Sequence, residues 1–226
     1  NGKNTSIHHT VFRNCTDDAI ELETWGSENF RFYNNVITNC WGGISVGSNP
    51  RGPLYIYRNQ VDATTIFKTE KGEKAGYCIK FGSDFANATE NIKFYHNNFR
   101  GEEIIHVWDK KSNPDKFNNI EFINNVFYAE GNSDGISNLW SLVPCRNGNF
   151  FNGNLYNKSA CLEKIKQYCP EFEKKGIVAG VLLSKGVLQI KKRKGVNQGT
   201  NDVLLNRWPD LVKIKDGKPD IGAREY

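Results

Sequence analysis

Short stretches of alternating apolar and polar residues recur along this chain, and they share a shape. SIHHTVF (6–12), RFYNNVI (31–37), YIYRNQV (55–61), KFYHNNF (93–99) and EFINNVF (121–127) overlay on one another, and NFFNGNL (149–155) is a degraded sixth copy. Their first apolar residues are Ile7, Phe32, Ile56, Phe94, Phe122 and Phe150, at steps of 25, 24, 38, 28 and 28 residues. A period of two predicts short strands with one face turned inward. One column reads Thr10, Asn35, Asn59, Asn97, Asn125. Asparagine tolerates left-handed backbone and can hydrogen-bond its neighbours along a stack, so the column predicts a bend repeated once per coil.

A second short strand follows each copy: AIELE (19–23), GISVG (43–47), CIKFG (78–82), IIHVW (104–108) and GISNL (135–139). Ile20, Ile44, Ile79, Ile105 and Ile136 align, as do Leu22, Val46, Phe81, Val107 and Asn138, and both columns are expected to point inward. An all-β repeat of about 25 residues with asparagine at its bends predicts a right-handed parallel β-helix, in which each coil touches only its neighbours. Residues 1–157 read as its coils, and 158–226 as a C-terminal helix and wrapping tail of the same domain. Ser159 is expected to cap a helix over 160–168 that Pro170 stops. The first coil begins near residue 4 without a polar cap. That predicts a preceding domain, or a second chain, stacking on the N-terminal coil.

The residues between the inward columns face out. One outward row is Glu21, Ser45, Lys80, His106, Ser137; the next is Glu23, Gly47, Gly82, Trp108, Leu139; a third is Ala19, Gly43, Cys78, Ile104, Gly135. Stacked coils lie about 4.8 Å apart, so Glu21 and Lys80, two coils apart, are expected roughly 10 Å from each other. Small residues in these rows leave a shallow floor, and Trp108 and Trp25 offer faces for a sugar ring. TDDAIELE (16–23) sets Asp17, Asp18, Glu21 and Glu23 within seven residues. Four like charges so close are offset if a hard cation such as Ca²⁺ binds among them. Such an ion would hold the carboxylate of an acidic sugar, and Lys80 would remove the adjacent proton, which is β-elimination.

Composition narrows the alternatives. The chain has 226 residues and no methionine. It has no run of about 18 apolar residues, so no membrane span is expected. Residues 1–140 carry 14 basic and 17 acidic side chains, and 141–226 carry 16 and 8, including KKRK at 191–194. That excess reads either as a solvated tail or as attraction to an acidic polysaccharide. No nucleic-acid motif accompanies it, so nucleic acid is not an expected partner. Cys15 and Cys40 occupy equivalent places in adjacent coils, which permits a disulfide or a thiol ladder. Cys161 and Cys169 are too far apart on one helix to bridge each other, which leaves either to pair with Cys145; Cys78 is expected outward and free. This usage fits a secreted or cell-surface location.

TDDAIELE, GPLYIYRNQV (52–61), IKFGSD (79–84) and the terminal PDIGAREY (219–226) resemble bacterial secreted β-helix repeat proteins of the pectate-lyase-like superfamily. Within it, calcium-dependent lyases of the family-nine type carry D-D-G-x-D on one coil and a lysine base in a short strand ending in glycine. The resemblance implies Asp17, Asp18 and Glu21 as calcium ligands and Lys80 as base. Ala19 stands where the family has glycine, Glu21 where it has aspartate, and a whole coil separates the acids from the lysine. The candidate catalytic residues are therefore Lys80, His106 and Arg51. Ser45, Trp108 and Glu23 are candidates for substrate binding, and Asp17, Asp18 and Glu21 for metal. Three readings follow: a polysaccharide lyase or C5-epimerase acting on uronate polymers; a glycoside hydrolase using paired carboxylates; or a non-catalytic carbohydrate-binding, adhesive or structural β-helix. The superfamily's polygalacturonases carry a histidine between glycines and an R-I-K stretch, and this chain has neither.

Overall fold

A computed structural model describes residues 3–22, 28–47, 52–70, 72–82, 88–107, 116–130, 135–137, 148–171, 176–178, 181–184 and 187–190. The repeats stack as a parallel β-solenoid with three main faces. Ser6–His8, Phe30–Tyr33, Leu54–Tyr57, Thr89–Tyr95, Phe117–Ile123 and Phe150–Asn152 form a six-stranded sheet in chain order. The strand after each bend builds a seven-stranded sheet from Val11–Arg13 to Ile177–Val178. Asp18–Glu21, Gly42–Gly47, Tyr77–Gly82, Glu103–Val107 and Gly135–Ser137 form a five-stranded sheet. All pairings within these three sheets are parallel.

The inward columns are where the period-two pattern places them. Ile44, Ile79 and Ile105 are fully buried, as are Val46, Phe81 and Val107. Register pairs Ile20 with Ile44, Ile44 with Ile79 and Ile79 with Ile105. On the six-stranded sheet, Phe94 stacks on Phe122 with ring centroids 4.6 Å apart, and Phe122 on Phe151 at 4.5 Å. Burying each such ring contributes about 2 kcal/mol, so the stacked column is the main cohesive element between coils. In the first coil Ile7 and Phe12 are only partly buried, and Val11 is half exposed.

The asparagine column is a hydrogen-bonded ladder through the interior. The Asn97 side-chain oxygen accepts from the Asn59 backbone N–H at 3.0 Å and from the Asn59 amide at 3.0 Å. The Asn97 amide donates to Asn125 at 3.0 Å and to the Ile56 carbonyl at 2.9 Å. Asn35, Asn59 and Asn125 repeat the pattern, and Asn154 extends it by one coil. Two expectations need correction here. The left-handed residue of each bend is the one before the asparagine: His9, Asn34, Arg58, His96 and Asn124 have φ of 53–56°. A side chain in the column must point inward to bond its neighbours, so the residue ahead of it takes the turn. In the sixth copy the inward residue is Phe151, paired with Phe122, while Phe150 points outward. Asn154 locks that register by joining the ladder.

Cys15 and Cys40 form a disulfide between adjacent coils. Cys169 is disulfide-bonded, and Cys161 is buried. Cys78 is free but not outward, which corrects the third outward row. Its sulfur lies 3.1 Å from the Arg100 carbonyl oxygen, and both Cys78 and Ile104 are fully buried. The five-stranded sheet turns a corner onto the seven-stranded one at this row, so the residue before each aligned isoleucine also packs inside. Gly43 shows how tight the corner is: a Cβ there would lie 2.3 Å from the Cys78 carbonyl oxygen and 2.7 Å from Val61. Burial pushes the Cys78 thiol well above its ordinary range. Alkylation at pH 8 or pH 9 is therefore expected to leave Cys78 unmodified in native protein and to label it after unfolding. Peptide mass spectrometry checks this, and rapid native labelling would refute the placement.

On the outside of the seven-stranded sheet, Arg100 joins Asp62 at 2.9 Å to Glu130 at 2.6 Å. Burial acts to lower its affinity for the proton, and the bond to Glu130 with the charge of Asp62 more than offsets this. The helix covers Ser159–Tyr168, with Lys158 in the capping position and no side-chain cap bond. Ser159 is thus the first helical residue rather than the cap. Lys158 instead donates to the Glu130 carbonyl at 3.2 Å. Among the described residues no helix is long and apolar enough to cross a membrane. Ile177–Val178 extends the seven-stranded sheet, and Val181–Ser184 pairs antiparallel with Val187–Ile190.

Candidate functional site

The outward row Glu21, Ser45, Lys80, His106, Ser137 is in register across all five strands of its sheet. The same registers align a second row, three residues earlier in the first four strands and, past a register shift, two earlier in the fifth: Asp18, Gly42, Tyr77, Glu103, Gly135. This row, and not the Cys78 row, is the outward neighbour of the first. The two rows together bring Asp18, Tyr77, Lys80, Glu103 and His106 onto one face.

Lys80 reaches across an entire coil. Its ammonium lies 2.5 Å from Asp18 Oδ2, although the Gly42–Gly47 strand runs between them. The small residues of that strand make the contact possible. A Cβ on Gly42 would sit 2.4 Å from Asp18 Oδ1 and 2.9 Å from the Tyr77 ring, so only glycine leaves both side chains in place. Ser45, between Glu21 and Lys80, has no exposed surface. It lies on the floor of the face. The pair is substantially desolvated, with side-chain exposures of 17% for Lys80 and 1% for Asp18. Removing one partner would leave the other without its counter-charge, which typically costs about 3 kcal/mol.

One coil further on, His106 Nδ1 contacts the Glu103 carboxylate one helical-turn spacing earlier in the chain. The Tyr77 ring stacks on the imidazole at 5.3 Å and 20°. These two contacts fix the ring's plane and bind one of its nitrogens. Tyr77 in turn meets Trp41 edge-to-face at 5.2 Å. Neither Tyr77 nor Glu103 stands out in the sequence. Glu103 lies three positions before His106, and that spacing reads as the same side of a strand only where the strand bends.

The acidic cluster divides. Asp18 is buried against Lys80, while Asp17 and Glu21 are exposed. Asp17 Oδ1 accepts from the Asp18 backbone N–H at 2.9 Å. Asp18 Oδ1 is buried with no hydrogen-bond partner, an oxygen that a hard cation would use. Its other oxygen carries the Lys80 ammonium, and among the described residues no three His, Cys, Asp or Glu side chains converge on a point. Arg51, Glu23, Trp25 and Trp108 lie outside the described residues.

No family model, curated protein or solved structure matches this chain.

Proposed function

We propose that this chain binds a uronate-containing polysaccharide across the outward face of the five-stranded sheet and cleaves it by β-elimination. The observation that carries the reading is the pairing of two oriented groups on neighbouring strands: Lys80, held toward Asp18, and His106, held by Glu103 and Tyr77. At neutral pH a lysine is an ammonium, so Lys80 is the natural counter-charge for a sugar carboxylate. In β-elimination the proton on the carbon next to that carboxylate is removed, charge builds on the carboxylate, and the glycosidic C–O bond at the next carbon breaks. A cation beside the carboxylate stabilises that charge. His106, in register with Lys80, is the proton-transfer group. The base role that family resemblance gives Lys80 would require it to leave Asp18 and give up its proton first. The Cys15–Cys40 disulfide supports a secreted or cell-surface setting.

A non-catalytic carbohydrate-binding β-helix is the second reading. It is favoured by the closed Lys80–Asp18 pair, which neutralises the one cation on the floor of the face among the described residues. Absorbance of unsaturated uronate products separates the two. The protein is incubated with pectate, alginate and glycosaminoglycans, with Ca²⁺ or with chelator, and binding to each polymer is measured in parallel. Product from any of them supports the lyase. Binding without product supports the second reading, and neither binding nor product rejects both. Product that survives chelator agrees with Lys80 and His106 acting without a metal; product lost to it shows that a metal ion takes part.

A further inference from the structure

The 38-residue step between the third and fourth repeats contains a second element beside the candidate site. Phe67–Thr69 and Gly72–Lys74 pair antiparallel as a hairpin that leaves the solenoid between the seven-stranded and five-stranded sheets. Its base is fixed. Gly76 is the re-entry point, where a Cβ would lie 2.6 Å from the carbonyl oxygens of both Ala63 and Trp41. Thr65 donates to Asn39 at 3.2 Å, and the Trp41 indole N–H donates to the Ala75 carbonyl at 3.1 Å. The missing side chain at Gly76 leaves room next to Trp41, and Phe67 of the hairpin packs against the indole with centroids 5.6 Å apart. Trp41 and Phe67 are half-buried, and Ile66 beside them is 49% exposed. A chain of ring contacts therefore runs from Phe67 through Trp41 and the buried Tyr77 to His106.

Asp17, on the coil before Trp41, is an exposed acid. The Gly42 backbone N–H bonds the Asp17 carbonyl, so the Asp17 backbone, on the preceding coil, is next to the Trp41–Gly42 backbone. Apolar rings on one coil and an exposed carboxylate on the next suit a neutral sugar: a ring takes the C–H face, and the carboxylate accepts hydroxyl hydrogens. It is unsuited to a second uronate, whose own carboxylate would meet Asp17 as a like charge. The Lys80 and His106 region has the opposite preference.

We infer that Trp41, Phe67 and Asp17 form a subsite for a neutral hexose or N-acetylhexosamine adjoining the uronate subsite at Lys80. The polymer this face selects then alternates uronate with a neutral sugar and is not a homopolymer of uronate. This rests on the uronate reading above, and the test keeps the two apart. Binding of the intact protein is measured for polygalacturonate and polymannuronate against hyaluronan, unsulfated chondroitin and heparosan, with wild type, Trp41→Ala and Phe67→Ala. Phe67 stands on the hairpin outside the solenoid core, so its truncation leaves the fold intact even if Trp41→Ala does not. At least one alternating polymer is expected to bind tenfold or more tighter than either homopolymer, and Phe67→Ala to weaken that polymer about fivefold while leaving homopolymer binding unchanged. Equal or tighter binding of the homopolymers overturns the inference and keeps the uronate reading. So does a Phe67→Ala variant that binds the alternating polymer as wild type does. Failure of wild type to bind any uronate polymer overturns both.

Discussion

Asn97→Ala is expected to lower the unfolding free energy by about 4 kcal/mol. The side chain has no exposed surface and lies in the middle of the ladder. Its removal takes the acceptor from the Asn59 backbone N–H, one of two acceptors from the Asn59 amide, and a donor from both Ile56 and Asn125. A buried donor left unsatisfied costs about 1–3 kcal/mol, and several are affected at once. In a stack where each coil touches only its neighbours, the loss falls on the interface between coils and divides the solenoid into two weaker blocks. Urea unfolding of wild type and variant measures it. Asn14→Gly is the comparison: its bond with Asn39 is exposed, Asn14 is in the left-handed region that glycine tolerates, and the cost is expected below about 1 kcal/mol. An Asn97→Ala variant within about 1 kcal/mol of wild type would show that the ladder is not a stabilising element.

The second large effect is on turnover. On whichever uronate polymer yields product, Lys80→Ala and His106→Ala are each expected to reduce kcat by at least about 100-fold, since each removes one stabilising or proton-transferring group from the transition state. The two differ in binding. Lys80→Ala takes away the counter-charge for the sugar carboxylate and should also raise KM. His106→Ala leaves that charge in place and should change KM little. Glu103→Gln tests the orientation of the imidazole: it keeps the shape and removes the charge, so a loss in kcat smaller than that of His106→Ala is expected. Because Lys80→Ala also leaves Asp18 without its partner, its thermal unfolding must be measured alongside. Unchanged kcat in His106→Ala with the protein folded would remove histidine from the mechanism and return the base role to another residue.

Much of the architecture is a direct consequence of the residue pattern. A period of two decides which side chains of a strand face inward. Repeating the pattern every coil decides which of them stack, so the Ile44, Ile79, Ile105 and Val46, Phe81, Val107 columns could be aligned from letters alone. The asparagine column is equally determined, because a buried amide with both a donor and an acceptor is best satisfied by an identical amide one coil away. Spacing also placed Cys15 over Cys40, since equal offsets within successive coils become vertical neighbours.

What tertiary structure alone decided lies at corners and across coils. Strict alternation turned Cys78 outward, but the corner between two sheets bends the strand and buries it. The same bend, not any periodicity, brings Tyr77 and Glu103 to the face that holds Lys80 and His106. Pairing by nearest register matched Lys80 with Ser45 and put Glu21 beyond it. The lysine's long chain passes over the intervening strand to Asp18, because Gly42 offers nothing to obstruct it. The hairpin that carries Phe67 to Trp41 is visible in the sequence only as an over-long step, since a step length carries no direction; only the packing of Gly76 and Trp41 against the coil turns it toward the site. The sequence by itself thus determined the stack and its columns, which depend on local alternation and repetition. The site depends on the reach of long side chains and on which neighbours are small enough to let them pass, and those are properties of the folded solenoid.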